Sequence, residues 1–207
     1  GCKQANETAD TPLDPKHEIS ATQASMIVEK AKGLPDQGQM AIAIIENGNA
    51  QFYGVKVEND SALVFDNHQL GFEIGSITKV FTSTLLAELV MDEKVALDDP
   101  INSFLNLTLK DGVQMSFKEL ATHTSGLPRV PASLALPTVD MSNPYKDYDE
   151  ATLRAYLTDE LEMAHSPGEV SEYSNLGGGL LGYVLEQVTA TSYEDRLQAY
   201  IVSKYEM

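Results

Sequence analysis

The stretch QMAIAIIENGNAQFYGVKV, residues 39–57, restricts the fold more than any other part of the chain. Two apolar runs flank Asn47-Gly48, the dipeptide that most strongly signals a two-residue hairpin turn. A two-stranded ribbon alone is marginal in water and needs further strands or a packed partner. Met40, Ile42, Ile44 and Ile45 read as sheet-interior positions. The chain is therefore expected to carry part of a larger sheet, and the sequence to stop before the rest of it. An open sheet edge would invite pairing with a second copy, so a dimer is one expectation.

Helical patterns surround the hairpin. ISATQASMIVEKAKG, residues 19–33, reads as a helix with Ile19, Met26, Ile27 and Ala31 near helical spacing and Gly33 as its stop. Residues 62–75 read as a loop with short extended pieces. From Ser76 to Met91, Val80, Phe81, Leu85, Leu86, Leu89 and Val90 recur with the 3.6-residue period of a buried helix. LDDPINSFL places Pro100 at a helix start. MSFKEL opens a short helix, followed by a Gly/Pro-rich loop. Residues 131–148 have no period and read as a long loop, a feature often functional in compact domains. Helices are expected over 149–161, 176–190 and 192–205, with 163–175 as loop. The order is helix, hairpin, then a mainly helical block. That is an α+β chain: a tether over 1–16, then one domain over 17–207, divided into 17–75 and a helical subdomain over 76–207.

Charge removes several functions. Fourteen Lys and Arg stand against 31 Asp and Glu, a net charge of −17. Phosphate binding needs clustered cations, so nucleic acid is not an expected partner, nor is an anionic lipid surface. No apolar run reaches the roughly 20 residues of a membrane span. The single cysteine, Cys2, permits no intrachain disulfide. His17, His68, His123 and His165 show no helical i, i+4 pairing, and no metal site is expected. No P-loop, dinucleotide fingerprint, EF-hand or Gly-x-Ser-x-Gly elbow occurs, and no cofactor is expected.

Two short motifs carry chemistry. Ser76 and Lys79 form the only Ser-x-x-Lys in the chain, behind Gly75 and at the head of the apolar helix. On a helix, i and i+3 share a face, so the hydroxyl and the amine would lie side by side. The Ser76 N–H would be an unpaired helix-start donor, open to an oxyanion. A serine hydroxyl needs a neighbour to accept its proton before it attacks. Taken alone, the pair reads more readily as a helix cap and a solvated lysine. Tyr173 and Asn175 form the only Tyr-x-Asn, just before three consecutive glycines, Gly177 to Gly179. Helical glycines cost about 1 kcal/mol each relative to alanine, which suggests a close approach. A tyrosine beside a lysine loses its proton more readily and can act as a base. Asn offers a donor and an acceptor to a substrate amide. Taken alone, these two read as a loop anchor and a cap. Tyr145, Tyr148 and Tyr156 are candidates to line a groove, or simply cover a helix.

Together the segments resemble the serine β-lactamase and penicillin-binding-protein-like hydrolases, on the class C β-lactamase and esterase side. FEIGSITKVFT is similar to that family's nucleophile motif, LATHTSGLP to the loop after it, and SPGEVSEYSNLGGGLLGYVLEQVTATSYED to its Tyr-x-Asn segment. The resemblance runs from about Met40 to Met207. It implies the β-lactamase/DD-peptidase-like fold, an α/β sandwich with a helical subdomain. It implies that Ser76 is acylated, Lys79 shares its proton, Tyr173 is the base and Asn175 contacts the substrate amide. The expected substrate is a β-lactam, a D-amino-acid peptide or a small ester. The family's third motif, Lys- or His-Thr/Ser-Gly on a later strand, has no match after Asn175. His123 to Gly126 has the letters but reads as a decoy, lying in a loop before Tyr173. The alternative is a non-catalytic module that binds cell-wall peptides or a partner. Gly1-Cys2 and the polar, Pro-containing tether resemble a bacterial lipoprotein after its signal peptide. That implies lipidation at Cys2, anchorage through it, and a place in the periplasm or cell envelope.

Overall fold

A computed structural model describes residues 19–135 and 139–207. The chain divides into two compact units, one ending at Glu73 and one starting at Ile74.

In the first unit, helix α1 (Ala21–Ala31) begins at a capping box. Ser20 Oγ accepts the Gln23 N–H at 3.2 Å, and Gln23 Oε1 accepts the Ser20 N–H at 2.8 Å. Two donors that the helix leaves unpaired are thereby satisfied. Strands β1 (Gln39–Glu46) and β2 (Asn49–Glu58) pair antiparallel with Glu46 opposite Asn49. Asn47 and Gly48 both have positive φ, 52° and 79°, as a type I′ turn requires. The sheet has a third strand, β3 (Ser61–Val64), inside the region expected to be mostly loop. Its turn is Asn59-Asp60, again with both φ values positive, 52° and 60°. Asn and Asp tolerate the left-handed region without glycine, so the hairpin forms without the stronger signal.

The strand order is β1-β2-β3, and α1 packs on β2 and β3. Ala24, Ile27, Val28 and Ala31 meet Tyr53, Val55 and Ala62, with Met40, Ile42, Ile44 and Val64 against them. Two expected core positions point the other way. Met26 is 64% exposed and Ile45 71%. Ile45 follows Ile44 directly, so strand alternation puts it on the opposite face.

In the second unit a 3₁₀ turn, Gly75–Ile77, leads into helix α2 (Thr78–Met91). Thr82, Leu85, Leu86 and Leu89 are buried, whereas Val80, expected inside, is 64% exposed. The helix is apolar on more than one side, and only one side meets the core. Pro100 precedes a single 3₁₀ turn, Ile101–Ser103, rather than a full helix. Helix α3 (Phe117–Ala121) starts at a second capping box, Ser116 with Glu119. Helix α4 (Glu150–Ala155) continues as a π-helical turn over Tyr156–Glu160. Helix α5 (Asn175–Thr189) ends at Ala190 in the left-handed region, φ 51°. The final helical stretch has three parts: α6 (Tyr193–Leu197), a π-helical turn (Gln198–Val202) and α7 (Ser203–Tyr205).

Helix α5 sits at the centre of this unit, packed on α2, α3 and α6. Its Leu180, Leu181, Val184 and Leu185 join Leu85, Leu89, Leu120 and Leu157 in one core. Removing one such leucine costs about 2–5 kcal/mol, because the cavity closes only partly. The helix pair α2 and α5 carries Lys79 and Asn175, one residue from each of the two motifs.

Candidate active site

Gly75 takes φ +52°, a left-handed turn that glycine adopts freely, and delivers Ser76 to the mouth of α2. Ser76 lies in the 3₁₀ turn and Lys79 in the first turn of α2, three residues on. Lys79 Nζ donates to Ser76 Oγ at 3.3 Å. The Ser76 N–H meets no acceptor among the described residues.

The second motif is placed by a cap. Ser174 is the N-cap of α5, in extended conformation, and is buried. Its Oγ accepts the Gly177 N–H at 2.8 Å and donates to the Pro128 carbonyl at 2.7 Å. Successive side chains along extended backbone point to opposite sides. With Ser174 turned into the core, Tyr173 and Asn175 face outward together. The Arg129 carbonyl accepts the N–H groups of Asn175 at 2.9 Å and Leu176 at 3.2 Å. Two more helix-start donors are thereby satisfied.

Residues 97 positions apart then meet: Tyr173 Oη and Ser76 Oγ are 2.5 Å apart. Lys79 Nζ donates to Asn175 Oδ1 at 2.9 Å and lies 5.0 Å from the centre of the Tyr173 ring. Asn175 Nδ2 donates to Tyr145 Oη at 3.4 Å. Of the three glycines, Gly178 makes the close approach, because a Cβ there would stand 2.8 Å from Lys79 Cε. Gly178 follows Asn175 by one helical turn, so the lysine stem lies along one face of α5 and its ammonium ends on Asn175.

Electrostatics follow the geometry. The Lys79 ammonium, first, and the hydrogen bond with Ser76, second, hold the Tyr173 phenol below the ordinary tyrosine range. Arg129, whose guanidinium lies 5.1 Å from the same ring centre, adds to this. Burial, and then Lys79, lower the pKa of His123.

Three further residues take part. His123 stacks on Tyr173 with ring centres 4.6 Å apart. Residues 123–126 are not on a strand, and their letters do not mark the family's third motif. They line the Tyr-x-Asn loop instead. The His123 carbonyl accepts from Glu172 N at 2.8 Å, Thr124 from Gly168 at 2.7 Å and Gly126 from Ala164 at 2.8 Å. Arg129 had no signal beyond its place in the same Gly/Pro loop. Of the three tyrosines suspected of lining a groove, Tyr145 is exposed and meets Asn175. Tyr156 is buried in the core, and the Tyr148 hydroxyl is buried with no partner among the described residues. Burial, then Tyr156 and Glu160, push Tyr148 up to about 12. Cys2 lies outside the described residues.

Such an arrangement suits acyl transfer. It combines an exposed hydroxyl, a phenol with an eased proton in contact with it, a cation beside both, and a free backbone donor.

Residues 29–207 match the family model described as Beta-lactamase. A β-lactamase of Pseudomonas fluorescens is 28% identical over 179 residues, covering 86% of this chain and 46% of that protein. The octameric penicillin-binding protein homologue from Pyrococcus abyssi is 29% identical with a TM-score of 0.67, covering 90% of this chain and 43% of that one. The D-amino acid amidase from Ochrobactrum anthropi SV3, complexed with D-phenylalanine, is 26% identical with a TM-score of 0.67 over 86% of this chain and 48% of that one. The chain thus spans somewhat less than half the length of each. With an α+β fold shared with these proteins and a family model matched over most of its length, the chain belongs to the Beta-lactamase family, the serine β-lactamase and penicillin-binding-protein-like hydrolases.

Proposed function

We propose that this protein is a serine hydrolase that works through an acyl-enzyme on Ser76. The observation that carries the reading is the 2.5 Å contact between Ser76 Oγ and Tyr173 Oη, with Lys79 3.3 Å from the same Oγ. In the reactive form Tyr173 is a phenolate, favoured by the Lys79 ammonium. It takes the Ser76 proton as Oγ bonds to the substrate carbonyl carbon. The carbonyl oxygen becomes an oxyanion, and the Ser76 N–H is placed to donate to it. As the intermediate collapses, the carbon–nitrogen or carbon–oxygen bond breaks. The leaving group carries away the proton held by Tyr173, whose phenolate is restored. In the second half a water gives its proton to Tyr173 and adds to the ester. Ser76 leaves and regains that proton. Lys79 holds Asn175 Oδ1 and the serine in register, and Asn175 Nδ2 is offered to the substrate amide.

The substrate classes proposed are β-lactams, D-amino-acid amides or peptides, and small esters. The relatives named as β-lactamase and D-amino acid amidase support the first two. The full-length gene product, incubated with a fluorescent penicillin and separately with a fluorophosphonate, should carry one adduct. Peptide mass spectrometry should place it on Ser76, and Ser76→Ala should abolish it. A folded protein that gives no Ser76 adduct with either probe, and no turnover of p-nitrophenyl esters, would sink the reading in favour of a binding-only module.

A further inference from the structure

His123 is attached to Tyr173 on three sides. Its carbonyl accepts the N–H of Glu172, the residue before Tyr173, at 2.8 Å. Its Nδ1 accepts the N–H of Ser174, the residue after, at 3.3 Å. Its ring lies against the phenol ring, centres 4.6 Å apart and planes inclined by 39°. The segment it grips, residues 161–174, has no helix or strand of its own. His123 thus restrains the backbone on both sides of Tyr173 through hydrogen bonds, and its ring contact restrains the phenol's side-chain torsions.

His123 itself is held in an uncommon conformation. It follows the end of α3, with φ +59°, a region that Asn, Asp and His enter more readily than other side chains. That turn points the carbonyl and Nδ1 of one residue at two N–H groups spaced two residues apart. We propose that His123 is a positioning residue, one that sets the Tyr173 hydroxyl on Ser76 by gripping both flanking amides and backing the phenol ring. The inference rests on the reading of Tyr173 as the base, but its geometry is independent of any substrate.

The clamp requires a neutral imidazole. Nδ1 accepts a hydrogen bond, so the ring proton sits on Nε2. An imidazolium has no lone pair on Nδ1 and would release the Ser174 N–H. The groups facing His123 act in one direction. Lys79 from α2 opposes a second positive charge, and partial burial does the same. Arg129 shares the Tyr173 ring. The Glu172 carboxylate accepts from or pairs with His165 at 2.8 Å rather than with His123.

Two variants separate positioning from mere loop structure. His123→Ala removes the ring and the Nδ1 acceptor. His123→Asn keeps a side-chain acceptor near the Nδ1 position and tolerates the positive φ. The readouts are the Ser76 acylation rate, split into kcat and KM, and the titration of Tyr173 by NMR of ¹³Cζ-tyrosine, assigned with Tyr173→Phe. Thermal melts confirm that both variants fold. We expect His123→Ala to cut kcat about 10²-fold, the cost of roughly 1 Å of misplacement, with a smaller change in KM. Tyr173 should then titrate closer to the ordinary value of about 10, because Lys79 and Ser76 no longer meet it squarely. His123→Asn should restore most of the rate and keep Tyr173 depressed. A Tyr173 titration equal in the native protein and His123→Ala would overturn the proposal, as would an Asn variant no better than Ala on both readouts. If the native protein gives no Ser76 adduct, the hydrolase reading fails alone, since the titration still decides whether His123 positions Tyr173.

Discussion

Gly178 of α5 and the side chain of Lys79 share the same space: a Cβ at position 178 would lie 2.8 Å from Lys79 Cε and 3.3 Å from Cδ. The helix that carries Asn175 can pass this close to the lysine only because it presents bare backbone there. The contact aims the ammonium at Asn175 Oδ1 and Ser76 Oγ.

Gly178→Ala should therefore damage catalysis without damaging the fold. The atom struck is the far end of a flexible chain, which can swing aside. Alanine also adds up to about 1 kcal/mol of helix propensity. We expect an unchanged or slightly raised melting temperature, and Ser76 acylation reduced by about 10²-fold through the displaced ammonium. Gly179→Ala is the control. Among the described residues, nothing beyond its chain neighbours and its own helix backbone lies within 4 Å of its Cβ position. It should gain the same propensity and keep the native rate.

The depressed Tyr173 pKa fixes the direction of the pH response. In the proposed mechanism the phenolate is the base, so acylation should rise with pH through the folded-state pKa and level off above it. Lys79→Gln removes the largest cause of the depression. The rising limb should then move to higher pH, toward about 10, and the rate at neutral pH should fall. Stability carries the same sign. Tyr173 contributes most above its unfolded value of about 10, and the contribution is lost as pH falls through the lowered folded value. A pH series of acylation rates on both proteins checks this; an unmoved limb would count against Tyr173 as the base.

Ser174→Ala should cost stability. It strips the N-cap of α5 and leaves the Gly177 N–H and the Pro128 carbonyl without the partner each has now. Losing a cap costs about 1 kcal/mol. Orphaned buried groups add about 1–3 kcal/mol. Chemical denaturation should show a loss in that range, with Ser76 acylation weakened as Tyr173 and Asn175 lose their anchor.

Gly126→Ala should be the most damaging change in the loop. Gly126 has φ +74°, and a Cβ there would fall on the His165 carbonyl oxygen. Backbone cannot swing aside as Lys79 can. The strand-like lacing of 123–126 to the Tyr-x-Asn loop would have to open, at a cost of about 3 kcal/mol or more. Circular dichroism melts should register the loss, and His123 should part from Tyr173 in the same variant.

Much of the fold was legible because its causes are local. Asn47-Gly48 makes its own turn. The helix over 21–31 announces itself through its apolar spacing and the Gly33 stop. The errors also have local causes. Asn59-Asp60 forms a hairpin without glycine, so β3 was hidden. Val80 and Met26 belong to apolar patterns, yet periodicity alone does not say which side of an apolar helix will be covered. Residues 123–126 lie in a loop, as expected, but that His123 backs Tyr173 was not legible, because that partner lies some 50 residues downstream.

The amino-acid sequence by itself determined the α+β order, the helix that carries Ser76 and Lys79, and the pairing of two motifs that named a chemistry. These depend on neighbours within a turn or two, where spacing is geometry. Only the tertiary structure decided that Tyr173 touches Ser76, that Gly178 alone among three glycines makes room for Lys79, and that His123 holds Tyr173 from both sides. Such relations join residues tens of positions apart, and they exist only once the packing of α2, α3 and α5 has fixed distances that no local spacing encodes.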